Sequence, residues 1–283
     1  IKKSSKPMII LGGGVQSIKN NNLILNLLNK LNLPVATTWL ATDILYYDYK
    51  LNIGNVGRSG NRSAIYAVQD SDLIISFGCR FTSKVVINEK QFAKKAKIIA
   101  LDIDPAEFNQ ALIKVSKGFR VDLKKFVPSF YKFLNKTKFR NILKKHWDNK
   151  IKILKRENYK IDETYKSKKT KYISPYKFIN TLFEVSNKNA IFIPDAGMNI
   201  TWTYQGNRLK KGQKIFTGQG ASPMGYALPA SIGAYYATKS NQVVVLAGDG
   251  GFQMNIQELQ AIAFHNLPIK IFILNNESLG NTR

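Results

Sequence analysis

Asp249 and Asn276, a carboxylate and an amide, stand 27 positions apart, each just beyond an apolar run. Gln242-Val243-Val244-Val245-Leu246-Ala247 leads into Gly248-Asp249-Gly250-Gly251, and Ile269-Lys270-Ile271-Phe272-Ile273-Leu274 leads into Asn275-Asn276. Each run reads as a buried strand, and between them Ile256, Leu259, Ile262 and Ala263 recur at helical spacing. Strand, helix, strand predicts a right-handed parallel crossover, which puts both strand ends on one edge of a sheet. Open α/β sheets bind ligands at that edge. One charged and one neutral oxygen suit Mg²⁺, which takes few protein oxygens and completes its octahedron from phosphate and water. Gly250 and Gly251 offer backbone N–H groups at the start of the following helix, where an anion such as a diphosphate is favoured. Alone, either dipeptide would be an ordinary turn or strand exit; the pair on adjoining strands points to a site.

The elements that must position these residues follow from the same patterns. Residues 172–283 read as one α/β domain: strands at 190–194 and 214–217, a small-residue helix over 225–237, then the two strands above. Residues 1–131 read as another. A short strand at 7–11 ends in Gly12-Gly13-Gly14, and a helix follows with Ile18, Leu23, Leu27, Leu28 and Leu31 on one side. Further strands are expected near 35–38, 73–77 and 97–103. Repeated strand–helix alternation predicts an α/β fold of two consecutive parallel-sheet, Rossmann-like domains, the second incomplete at its C-terminal end. Residues 132–171 hold 15 Lys and Arg against 4 Asp and Glu and read as a solvated, Lys-rich helical linker, with packing or surface roles for His146 and Trp147.

A formal net charge of +25 raises nucleic-acid binding. Much of the excess is confined to the linker, and aromatics are not interleaved with the cations as a single-strand platform requires, so no nucleic-acid partner is expected. No apolar run reaches the length of a membrane span. The basic start Ile1-Lys2-Lys3-Ser4-Ser5-Lys6 leads into a strand and is not a signal peptide. The single cysteine, Cys79, excludes an intramolecular disulfide, fits a reducing, cytoplasmic compartment, and sits at a strand end as an inert buried thiol. The first residue is not methionine and the last follows closely on a strand, so an internal piece of a longer protein is expected.

Gly-Asp-Gly followed at this spacing by Asn-Asn resembles the signature of thiamine-diphosphate-dependent enzymes. The run Gly248-Asp249-Gly250-Gly251-Phe252-Gln253-Met254-Asn255-Ile256-Gln257-Glu258-Leu259 is similar to the acetolactate synthase branch nearly residue for residue, as is Pro223-Met224-Gly225-Tyr226-Ala227-Leu228-Pro229-Ala230. The resemblance implies that the side chains of Asp249 and Asn276 hold Mg²⁺, with the Ser278 carbonyl as third protein ligand. It implies that Gly220, Gly248, Gly250 and Gly251 border thiamine diphosphate, that Met224 is the wedge that bends it, and that the Ser222 carbonyl accepts from its aminopyrimidine. Met198-Asn199 fall where family members carry a Gln-His pair on the diphosphate; Asn199 can still donate, Met198 cannot. The activity implied is decarboxylation of a small 2-oxo acid such as pyruvate and transfer of its two-carbon unit to an acceptor 2-oxo acid, as in branched-chain amino acid biosynthesis. The family's proton-transferring glutamate lies in a separate N-terminal domain, contributed by a neighbouring subunit of a homodimer or homotetramer. No catalytic residue is therefore expected in this chain, and Glu258 is read as a helix-surface residue.

Residues 1–122 resemble the central domain of the same branch, which cradles FAD. Carried over residue by residue, a flavin site would use Gly12, Gly13, Gly14, Thr38, Gly78, Arg80, Asp102 and Asp122. Read from the residues alone, Gly12–Gly14 is a tight strand-to-helix turn, since Ser17 replaces the third glycine of a dinucleotide motif, and Asp102 either binds a ribose or caps the next helix. Two stretches depart from the branch: Gly57-Arg58-Ser59-Gly60-Asn61-Arg62 replaces Gly-Met-His-Gly, and Thr82-Ser83-Lys84 replaces Asp-Asp-Arg. The first resembles relatives that deliver an acetyl unit to a nucleotide-linked keto-sugar in surface-polysaccharide synthesis. A third expectation is a non-catalytic cofactor-binding remnant.

Overall fold

The computed structural model describes residues 1–141, 143–166, 172–239 and 242–280, the side chains of 157–166 excepted. The chain divides into two compact units, Ile1–Lys169 and Thr170–Arg283.

The first unit runs β1 (Pro7–Leu11), α1 (Asn21–Leu31), β2 (Val35–Thr37), β3 (Asn52–Asn55), α2 (Arg62–Asp70), β4 (Leu73–Phe77), β5 (Lys97–Asp102), α3 (Ala106–Asn109), β6 (Lys117–Arg120), α4 (Leu123–Lys136) and α5 (Lys145–Lys166). Its strands form a parallel sheet in the order β3-β2-β1-β4-β5-β6, so the chain reverses its direction of travel across the sheet at the β1–β4 boundary. All five residues of β1 are buried because both faces of the sheet are covered. Ile9 and Leu11 face Ile24, Leu27, Leu28 and Leu31 of α1 and Val127 and Leu134 of α4. Met8 and Ile10, on the other face, join Ala64, Ala67 and Val68 of α2 and Trp147 and Ile151 of α5. Trp147 is fully buried, and its indole Nε1–H donates to the Pro7 carbonyl at 2.9 Å. The start of α5, inside the segment expected to be a solvated linker, is thereby core of the first unit. The helix expected after β1 begins only at Asn21, where the Asn20 side chain accepts from the N–H groups of Asn22 and Leu23; Gly13–Ser17 form a separate 3₁₀ helix.

The second unit runs α6 (Pro175–Val185), β7 (Ile191–Pro194), α7 (Met198–Gly206), β8 (Lys214–Ile215), α8 (Ala227–Thr238), β9 (Val243–Gly248), α9 (Asp249–Gln253), α10 (Glu258–Phe264) and β10 (Ile269–Leu274). Its sheet is parallel with order β10-β9-β7-β8. Val243, Val245 and Ala247 of β9 pack with Ile191 and Ile193 of β7 under Ala227, Leu228 and Ala234 of α8 and Ile262 of α10. On β7 the Phe192 ring stacks on Phe183 of α6, centroids 3.9 Å apart. The expected crossover between β9 and β10 is right in direction but not one helix. It breaks into α9 and α10 across Met254–Gln257, where backbone bonds run from residue i+3 to residue i and the Asn255 side chain bonds outside the helix.

Candidate functional site

The parallel register of the second sheet brings its loops to one edge. Leu274 pairs with Gly248 and Pro194 with Leu246, so Asp195, Asp249 and Asn275-Asn276 leave three neighbouring strands, β7, β9 and β10, side by side. The Asn276 side-chain oxygen accepts from the Ser278 N–H at 3.2 Å and the Asn275 oxygen from the Glu277 N–H at 3.0 Å, so both amides shape the loop after β10. A Cβ built on Gly250 would meet the Leu279 Cδ2 and lie 3.6 Å from the Met224 Cε, which brings the loop after β10 and the loop carrying Met224 to the start of α9. Met224 is 38% exposed. Asn199 is buried; its amide donates to the Ala196 carbonyl at 3.1 Å and would lie 3.3 Å from a Cβ on Gly248. Gly220 (φ +85°) and Ser222 (φ +49°) both hold left-handed backbone on the loop before α8, and nothing stands within 4 Å of a Cβ built on Gly220.

Two neighbours that are not among the expected site residues complete this arrangement. Asp195 is 1% exposed; its Oδ2 accepts from the Gly225 N–H at 3.0 Å and is packed against Gly251, where a Cβ would overlap it. Asn255 donates from Nδ2 to the Gly225 carbonyl at 3.0 Å. Asp195 had a sequence signal, a carboxylate directly after an apolar strand as at Asp249. Asn255 had none beyond lying in the matched run.

The donor set fits a metal-bound diphosphate. Asp249 offers one charged oxygen and Asn276 a neutral one, which is the kind of protein donor set Mg²⁺ takes beside phosphate. Among the described residues no group of three His, Cys, Asp or Glu is placed to hold a metal ion. The buried Gln219 Nε2, Ser222 Oγ and Asp195 Oδ1 have no partner among the described residues, which marks this edge as built for polar company.

Comparison with known sequences decides the family. A sequence model described as "Thiamine pyrophosphate enzyme, central domain" matches residues 1–129, and one described as "Thiamine pyrophosphate enzyme, C-terminal TPP binding domain" matches residues 195–283. The chain belongs to the thiamine pyrophosphate enzyme family. It is 33% identical over 291 residues to a probable acetolactate synthase large subunit of Methanococcus aeolicus, covering 99% of this chain and 48% of that protein. It is 32% identical over 280 residues to the acetolactate synthase large subunit of Lactococcus lactis, covering 99% and 47%. Against the large subunit of acetolactate synthase isozyme 1 of Escherichia coli the values are 31%, 99% and 48%. The chain spans about half the length of the curated relatives it matches.

In this thiamine pyrophosphate enzyme chain the eight flavin candidates also share one edge. Gly12–Gly14 follow β1, Thr38 follows β2, Gly78 and Arg80 follow β4, Asp102 ends β5 and Asp122 follows β6, around the β1–β4 switch point. Several already serve the fold. The Gly14 N–H donates to the Gly78 carbonyl at 3.0 Å, and a Cβ on Gly12 would collide with Gly78 and Cys79 backbone. The glycine turn is therefore a close crossing of two loops and not an open phosphate cradle. Asp102 does not cap the next helix: its side chain accepts from the Asp104 N–H, and Asp104 accepts from the Ala106 N–H at 2.9 Å. Asp122 is the N-cap of α4, and Arg80 pairs with Glu107 at 2.7 Å. Burial raises the Glu107 pKa, against the pull of the Arg80 cation. Cys79 is buried, and burial, with Asp102 and Glu107 nearby, raises its pKa.

The two stretches that depart from the acetolactate synthase pattern meet in space. The Arg58 N–H donates to the Lys84 carbonyl at 2.9 Å, and Gly57 (φ +104°) lies directly against that carbonyl. Beside them is a cavity of about 610 Å³ whose lining includes Arg58, Ser83, Asn88, Glu89, Lys90 and Leu112. Among the described residues no helix is long and apolar enough to cross a membrane.

Proposed function

We propose that this chain is the central and cofactor-binding part of a thiamine-diphosphate-dependent decarboxylating carboligase of the acetolactate synthase type. The observation that carries the reading is the meeting of Asp249, the Asn276 loop and Met224 at one carboxyl edge. Asp249 and Asn276, with the Ser278 carbonyl, would hold Mg²⁺ against the diphosphate, and Asn199, Gly248, Gly250 and Gly251 would border it. Met224 and the loop from Gly220 to Ser222 would support the two rings. Bound thiamine diphosphate supplies the carbon nucleophile that adds to a 2-oxo acid and holds the electron pair left when CO₂ departs. The protein's part here is to neutralise the diphosphate, fix the ring orientation and shield the reacting carbon from water. The proton-transferring carboxylate is assigned to the N-terminal domain of a neighbouring subunit in a cytoplasmic homodimer or homotetramer. Incubating the full-length protein with pyruvate, thiamine diphosphate and Mg²⁺ tests the reading: acetolactate and CO₂ are expected, and the absence of both refutes it.

A second reading has its own observation. The cavity beside Arg58, Ser83 and Lys90 carries two cations against one carboxylate, Glu89, a net positive charge, and both departing loops border it. That supports an anionic acceptor such as a nucleotide-linked keto-sugar in place of a second 2-oxo acid. Turnover with pyruvate alone refutes this acceptor; turnover only after a nucleotide-linked keto-sugar is added supports it. FAD on the first sheet's edge has in its favour that its candidates gather at one switch point, and against it the closed Gly12–Gly14 turn; a flavin absorbance band in the purified full-length protein is the check.

A further inference from the structure

We propose that Asp195 and Asn255 are positioning residues for Met224, gripping the residue that follows it from both sides. The inference rests on the reading of Met224 as a cofactor contact and names what holds it. Gly225 sits at φ +80° and is buried. Its N–H donates to the Asp195 carboxylate at 3.0 Å, and its carbonyl accepts from the Asn255 amide at 3.0 Å. A Cβ at Gly225 would stand 2.8 Å from the Met254 Cβ and 2.9 Å from the Asn255 Nδ2, so the peptide lies flat on the turn after α9. Both backbone polar groups of one residue are thereby spent on side chains from two different segments, the loop after β7 and the turn after α9.

The need for such a grip is visible in the loop itself. Gly220 and Ser222 take left-handed backbone, and the two buried polar atoms Gln219 Nε2 and Ser222 Oγ have no partner among the described residues. A fixed Gly225 fixes the direction of Met224, because it sets the backbone leaving the methionine Cα. A contact that must bend a ligand works only if it is held by rigid support. Asp195 supplies rigidity of a second kind: seated against Gly251, it ties the Met224 loop to the segment that carries Asp249.

The test uses the full-length enzyme and three readouts: hydrogen exchange of the 218–226 peptide without cofactor, calorimetric affinity for thiamine diphosphate with Mg²⁺, and kcat/KM. Asn255→Ala is expected to speed exchange of that peptide and to weaken cofactor affinity, each by about tenfold, the worth of one hydrogen bond's alignment. Met224→Ala should weaken affinity comparably, and the double variant should be no worse than Met224→Ala alone. Asp195→Asn, which keeps an oxygen for the Gly225 N–H, should stay nearer the parent than Asp195→Ala. Unchanged exchange in Asn255→Ala, or additive losses in the double variant, overturns the grip. Unchanged affinity in Met224→Ala overturns instead the reading of Met224 beneath it, since the exchange measurement needs no cofactor.

Discussion

Gly250 and Gly251 are adjacent in the sequence, share one short helix, and face opposite consequences from the same added methyl group. At Gly250 the methyl would meet the Cδ2 of Leu279, the far end of a flexible, 52%-exposed side chain that can turn away. At Gly251 it would overlap the Asp195 Oδ2, an atom also near the end of a side chain but buried at 1% exposure and bonded to the Gly225 N–H. Gly250→Ala should therefore keep the usual helical gain of alanine over glycine, about 0.5–1 kcal/mol at most. Gly251→Ala has the same gain set against two larger costs. Overpacking a well-filled site costs about 1–3 kcal/mol. Displacing the carboxylate from a bond to an N–H group costs about 1.5–3 kcal/mol more. The helical gain cancels between the two, so the expected difference is the sum of the two costs, about 2.5–6 kcal/mol, Gly251→Ala being the less stable. The assay is native-state hydrogen exchange of β7 and β9 peptides in the second unit, supported by urea midpoints. Variants within about 0.5 kcal/mol of each other, the ordinary scatter of surface substitutions, would refute the seat of Asp195 against Gly251.

Asp249→Ala removes the one charged oxygen of the proposed metal set; Mg²⁺-dependent binding of thiamine diphosphate should disappear in calorimetry while the circular dichroism stays unchanged. Trp147→Ala should destabilise the first unit by about 3–5 kcal/mol, the range for losing a buried tryptophan, and read out as a lower urea midpoint, because α5 is anchored in that core through this side chain. Asp72 gives a pH prediction. Burial alone would raise its pKa, but the Ser4 hydroxyl and the N–H groups of Ser5 and Lys6 donate to it and hold the pKa below the usual aspartate value. A depressed folded pKa contributes stability that is present above the unfolded value and is lost as pH falls through the folded one. The unfolding midpoint should thus fall on acidification below the ordinary aspartate range, and Asp72→Asn should flatten that limb; an unchanged limb refutes the assignment. Cys79, buried with its thiol pKa raised, should resist thiol reagents in the native protein and react on unfolding.

What the sequence made legible in the fold follows from where each strand sits. β1 and β4 lie at the middle of the first sheet, are covered on both faces, and consist almost wholly of apolar residues, so pattern alone places them. β3 and β6 escape that reading, and they are the two edges of the same sheet. Asn52-Ile53-Gly54-Asn55 and Lys117-Gly118-Phe119-Arg120 each carry a single large apolar residue, because an edge strand is held by one neighbour's backbone and needs little hydrophobic payload. The break between α9 and α10 escapes for a different reason. Ile256, Leu259 and Ile262 keep helical spacing across it, and the interruption coincides with a tertiary bond of Asn255 that periodicity does not register.

The site divides along the same line. Asp249 and Asn276 could be found because a parallel sheet sends every strand's carboxyl end to one edge, so chemistry written at strand ends is gathered by topology. Of the proposed supports of Met224, Asp195 carries the same strand-end signal, but its partner, the Gly225 backbone, is not written in the sequence, and Asn255 carries no such signal. Asp195 and Asn255 each lie 30 positions from Gly225 and address its backbone N–H and carbonyl, groups that nearly every residue carries. A side chain that binds a backbone group leaves no complementary residue in the sequence to pair it with. Residues proposed to face a ligand are therefore the more legible half of this site, and the bonds that hold the backbone behind them become visible only once the loops are folded together. Substitutions in that second group should act through the disposition of Met224 and not through the charge at the metal, so salt and Mg²⁺ concentration should rescue neither Asp195→Ala nor Asn255→Ala.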